Sequence, residues 1–282
     1  MHRVLEHIDR HIDEPLELDA LARVANFSPF HFHRLFAAWM GETLGEYMRR
    51  RRLEIAAQRL VAQPRLPVLE VALAVGFGST EAFARAFKAR FGATPTAWRQ
   101  AQVRNRDQLK RNLDQALPSP DGHDGLMKVK IIDRQPTTVA YLRHVGPYGA
   151  EISRFWMTEV DAWMRTNELF GKPRYGISHD DPGVTEADKL RYDAAVEVPD
   201  DFVGAGNHQI TVLPGGKYAM ARFKGTDRVV GEAWNWLLRD WLPGSGLQLD
   251  ARPAFEYYPV DAGYDEASGE FDCEICIPVT PL

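Results

Sequence analysis

Apolar residues in the first hundred positions recur at helical spacing, and from position 127 the period shortens toward two. Val4, Leu5, Ile8 and Ile12 mark a first helix, which Pro15 ends. Leu18 to Ala25 predicts a short second one. In the following NFSPFHFHRLF, Ser28 can cap a helix and Pro29 suits its first turn. Phe32, Leu35 and Phe36 share one face at i, i+3 and i+4, while Phe30, His33 and Arg34 share another. Thr43 to Ala62 predicts one long helix. Farther on, MKVKIID, TTVAYLRHV, LRYDAAVEV, HQITVL, KYAMARF and FDCEICIPV read as strands. Two helical stretches interrupt them, at roughly Ala150–Leu169 and Val229–Leu242.

Each half of the pattern repeats. Shifted by 51 residues, RLFAAWMGETLGEYMRR lies over RAFKARFGATPTAWRQA, so that Arg34 meets Arg85, Phe36 meets Phe87 and Gly41 meets Gly92. Upstream, VANFS lies over AVGFGS. Each copy reads as a short helix, a tight turn and a second helix, the helix-turn-helix pattern. Successive major grooves on one DNA face lie about 34 Å apart, so a rigid connecting helix lets one chain address both. The competing reading is a helical bundle with no nucleic-acid role. Shifted by 79, AYLRHVGPY lies over AMARFKGTD and RYDAAVEVP over EFDCEICIP, with Asp193 on Asp272. KPRYGIS falls near RPAFEYY after a one-residue adjustment. This half reads as strand, helix, strand, strand, twice over. The expected fold is α+β, with one antiparallel sheet, both helices on one side, and a groove at the junction of the copies.

Charge separates the halves. Residues 1–112 hold 18 Lys and Arg against 12 Asp and Glu, net +6. The remaining 16 basic and 27 acidic residues give −11, consistent with the whole-chain −5. A basic module meeting a polyanion and an acidic module with another task would produce this split. The LPSPDGHDG stretch reads as part of a linker over 113–126, between an all-α unit at 1–112 and the second unit at 127–282. The apolar runs are too short for a transmembrane helix, and the N-terminus lacks a signal peptide's apolar core. The expected location is therefore cytoplasmic, without membrane partners. Cys273 and Cys276 read as core thiols rather than a disulfide framework. His7 and His11, at i and i+4, read as a solvated helix face, and no metal or cofactor is expected.

One short stretch, AFEYYP, stands out in the acidic half. In a strand, Glu256 and Tyr258 point to one face, and Phe255 and Tyr257 to the other. A carboxylate in a mainly apolar groove is costly without a partner, which a lipophilic cation would supply. Aromatic faces would add cation–π attraction of about 0.5–2 kcal/mol each. Candidate walls are Trp156, Tyr192, Tyr218, Trp236 and Tyr258. Alternatively, Glu256 is a solvated strand carboxylate, or pairs with Arg252 or Arg222.

The run from LDALARVANFS through VGFGSTEAFARAFKARFGATPTAWR resembles the AraC/XylS family of transcription regulators over residues 1 to about 105. That resemblance implies reading positions at Phe30, His33 and Arg34 in the first copy and at Thr80, Glu81, Ala82 and Arg85 in the second. Their chemistry suits base edges: Arg can donate twice to guanine, Glu can accept from cytosine, and Phe or Ala can meet a thymine methyl. In the absence of DNA, Glu81 and Arg85 could also form an i,i+4 surface pair. GISHDDP, LRYDAAVEVP, GGKYAMARFKG, WLPGSG, PAFEYYP and ICIPV are similar to the GyrI-like effector-binding domain, and the whole chain to Rob-type regulators. The resemblance implies a small-molecule effector, an amphipathic organic cation or a drug-like compound, with Glu256 in the ligand groove. It also implies double-stranded promoter DNA as a partner, with RNA polymerase as a further one. Two other classes stay open: an architectural DNA binder whose second half does not sense, and a hydrolase in which Glu256 with Tyr218 or Tyr258 activates water.

Overall fold

The computed structural model describes residues 2–102, 104, 128–250 and 252–282, without the side chains of His2 and Phe30. The expected linker over 113–126 lies outside the described residues. The chain divides into two compact units, Met1–Lys110 and Arg111–Leu282.

The first unit is helical: α1 (His2–Arg10), α2 (Leu18–Val24), α3 (Pro29–Met40), α4 (Leu44–Ala62), α5 (Val68–Leu73), α6 (Thr80–Phe91) and α7, residues 95–102. The 51-residue repeat is visible at single-residue detail. Ser28 and Ser79 cap α3 and α6, their hydroxyls accepting from His31 N and Ala82 N. Gly41 and Gly92 end the same helices in the left-handed region, at φ 70° and 72°. Phe32, Phe36, Phe83 and Phe87 are fully buried. Phe36 packs edge-on against Tyr47 at 5.5 Å, and its counterpart Phe87 against Trp98 at 6.0 Å. The long α4 begins in a capping box, with Thr43 and Glu46 satisfying each other's backbone amides.

The second unit holds β1 (Val129–Arg134), β2 (Thr137–Val145), β3 (Arg174–Ser178), β4 (Arg191–Glu197), β5 (Gln209–Leu213), β6 (Gly216–Gly225), β7 (Leu247–Leu249), β8 (Phe255–Tyr258), β9 (Tyr264–Asp265) and β10 (Glu270–Pro281). Between β2 and β3 run α8 (Ala150–Phe155), a π-helical turn (Trp156–Val160) and α9 (Asp161–Thr166). Between β6 and β7 run α10 (Val230–Asn235), a second π-helical turn (Trp236–Trp241) and α11 (Leu242–Gly244). The antiparallel sheet has the order β1-β6-β10-β8-β3-β4-β2-β5. This order is a palindrome of the repeat: β8 and β3, β10 and β4, and β6 and β2 are counterparts. The outermost strands differ from the predicted repeat unit. Each copy's first strand, β1 or β5, crosses to the edge of the other copy. The two copies are thus interleaved rather than merely joined.

Both helical segments cover one sheet face. Phe155, Trp163 and Met164 pack on Tyr192, Ala194 and Val196 of β4, and Ala233 and Leu237 pack on Ala219 and Ile275. The opposite face has a core drawn from strands alone, including Tyr141, Tyr175, Tyr218 and Phe255.

Candidate functional site

In the first unit, α3 and α6 present the residues expected to read DNA. His33 and Arg34 are exposed on α3, and Glu81 and Arg85 on α6, with Thr80 and Ala82 half-buried at its first turn. The Phe30 side chain lies outside the described residues. Glu81 and Arg85 form no ion pair with each other among the described residues, so the surface pair considered above is not made. The Arg49–Arg52 run divides by face. Arg49 is exposed, Arg50 and Arg51 turn inward to the fully buried Glu54 at 3.0 and 3.3 Å, and Arg52 turns to backbone carbonyls.

In the second unit, β3 and β8 pair so that Gly176 stands directly opposite Glu256, and Arg174 opposite Tyr258. Gly176 is also the repeat counterpart of Glu256, so the approximate two-fold axis relating the copies runs through this pair. Glu256 lies on the helix-covered face and retains 7% exposure. Its Oε1 accepts from Trp234 Nε1 at 2.9 Å and its Oε2 from Tyr258 Oη at 2.8 Å. Tyr192 hydrogen-bonds the same carboxylate, and Trp156 Nε1 donates to Tyr192 Oη at 3.0 Å. The Trp156 and Tyr258 rings lie 6.1 Å apart. Burial pushes the Glu256 carboxyl above its ordinary value, and the three donors pull it partly back. Burial and the neighbouring carboxylate together hold Tyr192 and Tyr258 well above the usual phenol range.

The donors come from all quarters: α10, β8 and β4, with Trp156 behind them. None carries charge. Arg252 pairs with Asp250 and Arg222 with Glu274, so neither expected arginine neutralises Glu256. No Lys or Arg among the described residues forms an ion pair with it. The result is a desolvated carboxyl held by neutral hydrogen bonds and rimmed by aromatic rings.

Three of the expected aromatic walls, Trp156, Tyr192 and Tyr258, meet at Glu256. Two do not. Tyr218 is corrected to the opposite face: it is fully buried against Phe255 at 5.2 Å and covered by Arg252 at 4.8 Å. Alternation decides this, because Ala219 and Ala221 of the same strand take the helix-covered face. Trp236 is half-buried against the α10 core, and its neighbour Trp234 makes the contact instead. Trp236 opens its π turn as Trp156 does, but the counterpart of Tyr192 is Phe271, which has no hydroxyl to accept an indole N–H. Trp234 and the small Gly176 are the residues that sequence reasoning missed. The helical spacing of Trp234, Leu237, Leu238 and Trp241 was the available signal for the first.

The GyrI-like small molecule binding domain model matches residues 127–280, and a helix-turn-helix domain model matches residues 21–101. The chain is 27% identical over 281 residues to the right origin-binding protein of Escherichia coli, covering 96% of this chain and 95% of that protein. It is 38% identical over 96 residues to the regulatory protein SoxS of Salmonella typhimurium, covering 34% of this chain and 89% of SoxS. It is 29% identical over 157 residues to a DNA gyrase inhibitor of Erwinia billingiae, covering 55% of this chain and 98% of that protein.

Proposed function

The chain belongs to the GyrI-like small molecule binding domain family and carries an AraC-type helix-turn-helix domain ahead of it, and on that premise we propose a sequence-specific transcription regulator whose effector is a lipophilic organic cation anchored by Glu256. The observation that carries the proposal is the Glu256 cluster: a buried carboxyl with neutral donors, no cationic partner among the described residues, and aromatic rims. A carboxylate in this setting has lost its water without gaining a counter-charge. A cation entering beside it restores that charge, and the Trp156, Trp234 and Tyr258 rings add cation–π attraction. Glu256 itself is nearly covered, so entry requires the side chains around it to move.

On the DNA side, His33, Arg34, Glu81 and Arg85 face outward from two equivalent helices, which supports reading of two successive major grooves of promoter DNA. The regulator works in the cytoplasm, with RNA polymerase as its further partner, and the effector acts by favouring one of two DNA-binding states. No helix among the described residues is long and apolar enough to cross a membrane.

The test is fluorescence anisotropy of the full chain on labelled DNA from its own upstream region, with amphipathic cations and matched anions titrated in. Wild type responds to cations and not to anions, and Glu256→Gln weakens the cation response by about 10–100-fold, or roughly 1.4–2.8 kcal/mol. An unchanged response in the Gln variant removes the carboxylate from the ligand site.

A further inference from the structure

Two arginines of α4 are held by backbone carbonyls rather than by acids. Arg52 donates through Nε to Ile12 O at 2.9 Å and through Nη2 to Glu14 O at 2.8 Å, both in the segment after α1 that supports the first helix-turn-helix. Its third donor, Nη1, reaches Gly76 O at 3.2 Å, in the turn between α5 and α6 of the second. One guanidinium therefore joins both reading units. Seven residues on, along the same side of α4, Arg59 Nη1 donates to Ala74 O at 2.8 Å, at the C-terminal end of α5. Neither arginine forms an ion pair among the described residues.

Gly76 makes the approach possible. It sits at φ +78°, and a Cβ there would come within 2.8 Å of Arg52 Cζ and 2.9 Å of Asp13 O. Both guanidinium groups are partly desolvated, so their donors bind these carbonyls where water would otherwise serve. An arginine fork is planar and fixed. Three acceptors from two units, met by one rigid fork, admit one relative pose of those units.

We infer that Arg52, supported by Arg59, is a positioning residue that fixes the distance and twist between α3 and α6, and so makes the protein discriminate DNA sites by the spacing of their halves. The inference rests on the proposed reading of two grooves. Division of labour follows: His33, Arg34, Glu81 and Arg85 select bases, and Arg52 selects the interval between them. One base pair changes the separation of two half-sites by about 3.4 Å and turns one about 35° around the axis. A pose held by three carbonyl contacts does not follow such a change.

The experiment uses the full chain. Wild type first selects its site from a random duplex pool, and the selected site is then rebuilt with one or two base pairs added or removed between its halves. Wild type loses at least about 10-fold in affinity per base pair of altered spacing. Arg52→Lys keeps the charge but loses the fork, and its spacing dependence flattens to under about 3-fold while its best site weakens. Arg85→Ala changes the selected bases and keeps the wild-type spacing dependence. Where circular dichroism shows that Arg52→Lys does not fold, Arg59→Lys takes its place, with the same flattening expected. A uniform loss at every spacing, or no change, makes Arg52 merely stabilising and overturns the inference. Selection of a single half-site by wild type overturns the two-groove reading itself, which a flattened variant alone would not do.

Discussion

Gly176 leaves the room into which the Tyr192 hydroxyl and the Glu256 carboxylate reach. A Cβ at Gly176 would fall inside the Tyr192 hydroxyl and lie 2.9 Å from Glu256 Oε2. Gly176→Ala should therefore destabilise the second unit by about 1–3 kcal/mol, as overpacking does, and reduce effector binding through displacement of Tyr192. Chemical denaturation and ligand titration of the same variant check both, and an unaltered midpoint would refute the packing argument. Glu256 makes a separate pH prediction. Burial raises its folded pKa above the ordinary 4.5, so the folded state holds the proton more tightly than the unfolded one. That contribution is complete below 4.5 and is lost as pH rises through the folded value. Wild type should accordingly gain stability relative to Glu256→Gln as pH falls through the raised folded value toward 4.5, and parallel urea midpoints for the two proteins would contradict it. Asp193 has the opposite sign. The buried Arg143 donates to it twice at 2.6 Å, His179 lies 2.6 Å away, and its carboxyl is held far below the carboxylate range. Its contribution is present above 3.8 and is lost as pH falls through the folded value. Strand alternation made the Glu256–Tyr258 face readable from sequence. It could not reveal which aromatic from a distant helix would arrive there, because Trp234 and Trp236 differ only by the phase at which α10 meets the sheet.

Repeated caps explain why the first unit was legible as elements. Ser28 and Ser79 precede helices of 12 residues each, and both helices stop at a left-handed glycine. A capping hydroxyl needs only its own neighbours, so its signature survives in a single sequence. Ser79→Ala should cost about 1 kcal/mol, and Gly92→Ala about 1–2 kcal/mol because Ala must take φ near +72°. Thermal melts of the full chain give both values, and indifference at Gly92 would mean that the helix end refolds into another turn. In the second unit the elements were readable but their internal geometry was not. Both long helical stretches contain a π turn, at Trp156–Val160 and Trp236–Trp241. One extra residue in a turn shifts every later side chain around the axis. Period-3.6 reasoning therefore loses its phase for the residues that follow Trp156 and Trp236. The recurrence of the π turn about 80 residues apart argues that the altered phase belongs to the architecture of both copies.

Long-range pairing is what a single sequence hides at the scale of the whole chain. The 79-residue repeat shows that two copies exist, but not that β1 pairs with β6 and β5 with β2 across them. An edge strand has no local feature that names its partner, since its hydrogen bonds are generic and the alternation of apolar residues fits either copy. The crossing has an energetic consequence. Neither copy keeps its full sheet without the other, so the axis at Gly176–Glu256 sits inside one interleaved body, and a ligand bound there as proposed would meet groups from both copies: Tyr192 from one, Glu256 and Trp234 from the other. Binding should consequently stabilise this unit as a whole, by about 2.7 kcal/mol at a hundredfold excess over Kd. Coupling to DNA is a further step that thermodynamics constrains. If a cation changes DNA affinity by some factor, DNA must change cation affinity by the same factor. Titrating the cation into free protein and into the DNA complex, and DNA into free and cation-saturated protein, closes that cycle. Equal factors well away from one, abolished together by Glu256→Gln, are the expected result. A factor of one on both legs would leave a ligand site and a DNA reader in one chain with no energetic link between them, and the sensor proposal would fail on that measurement.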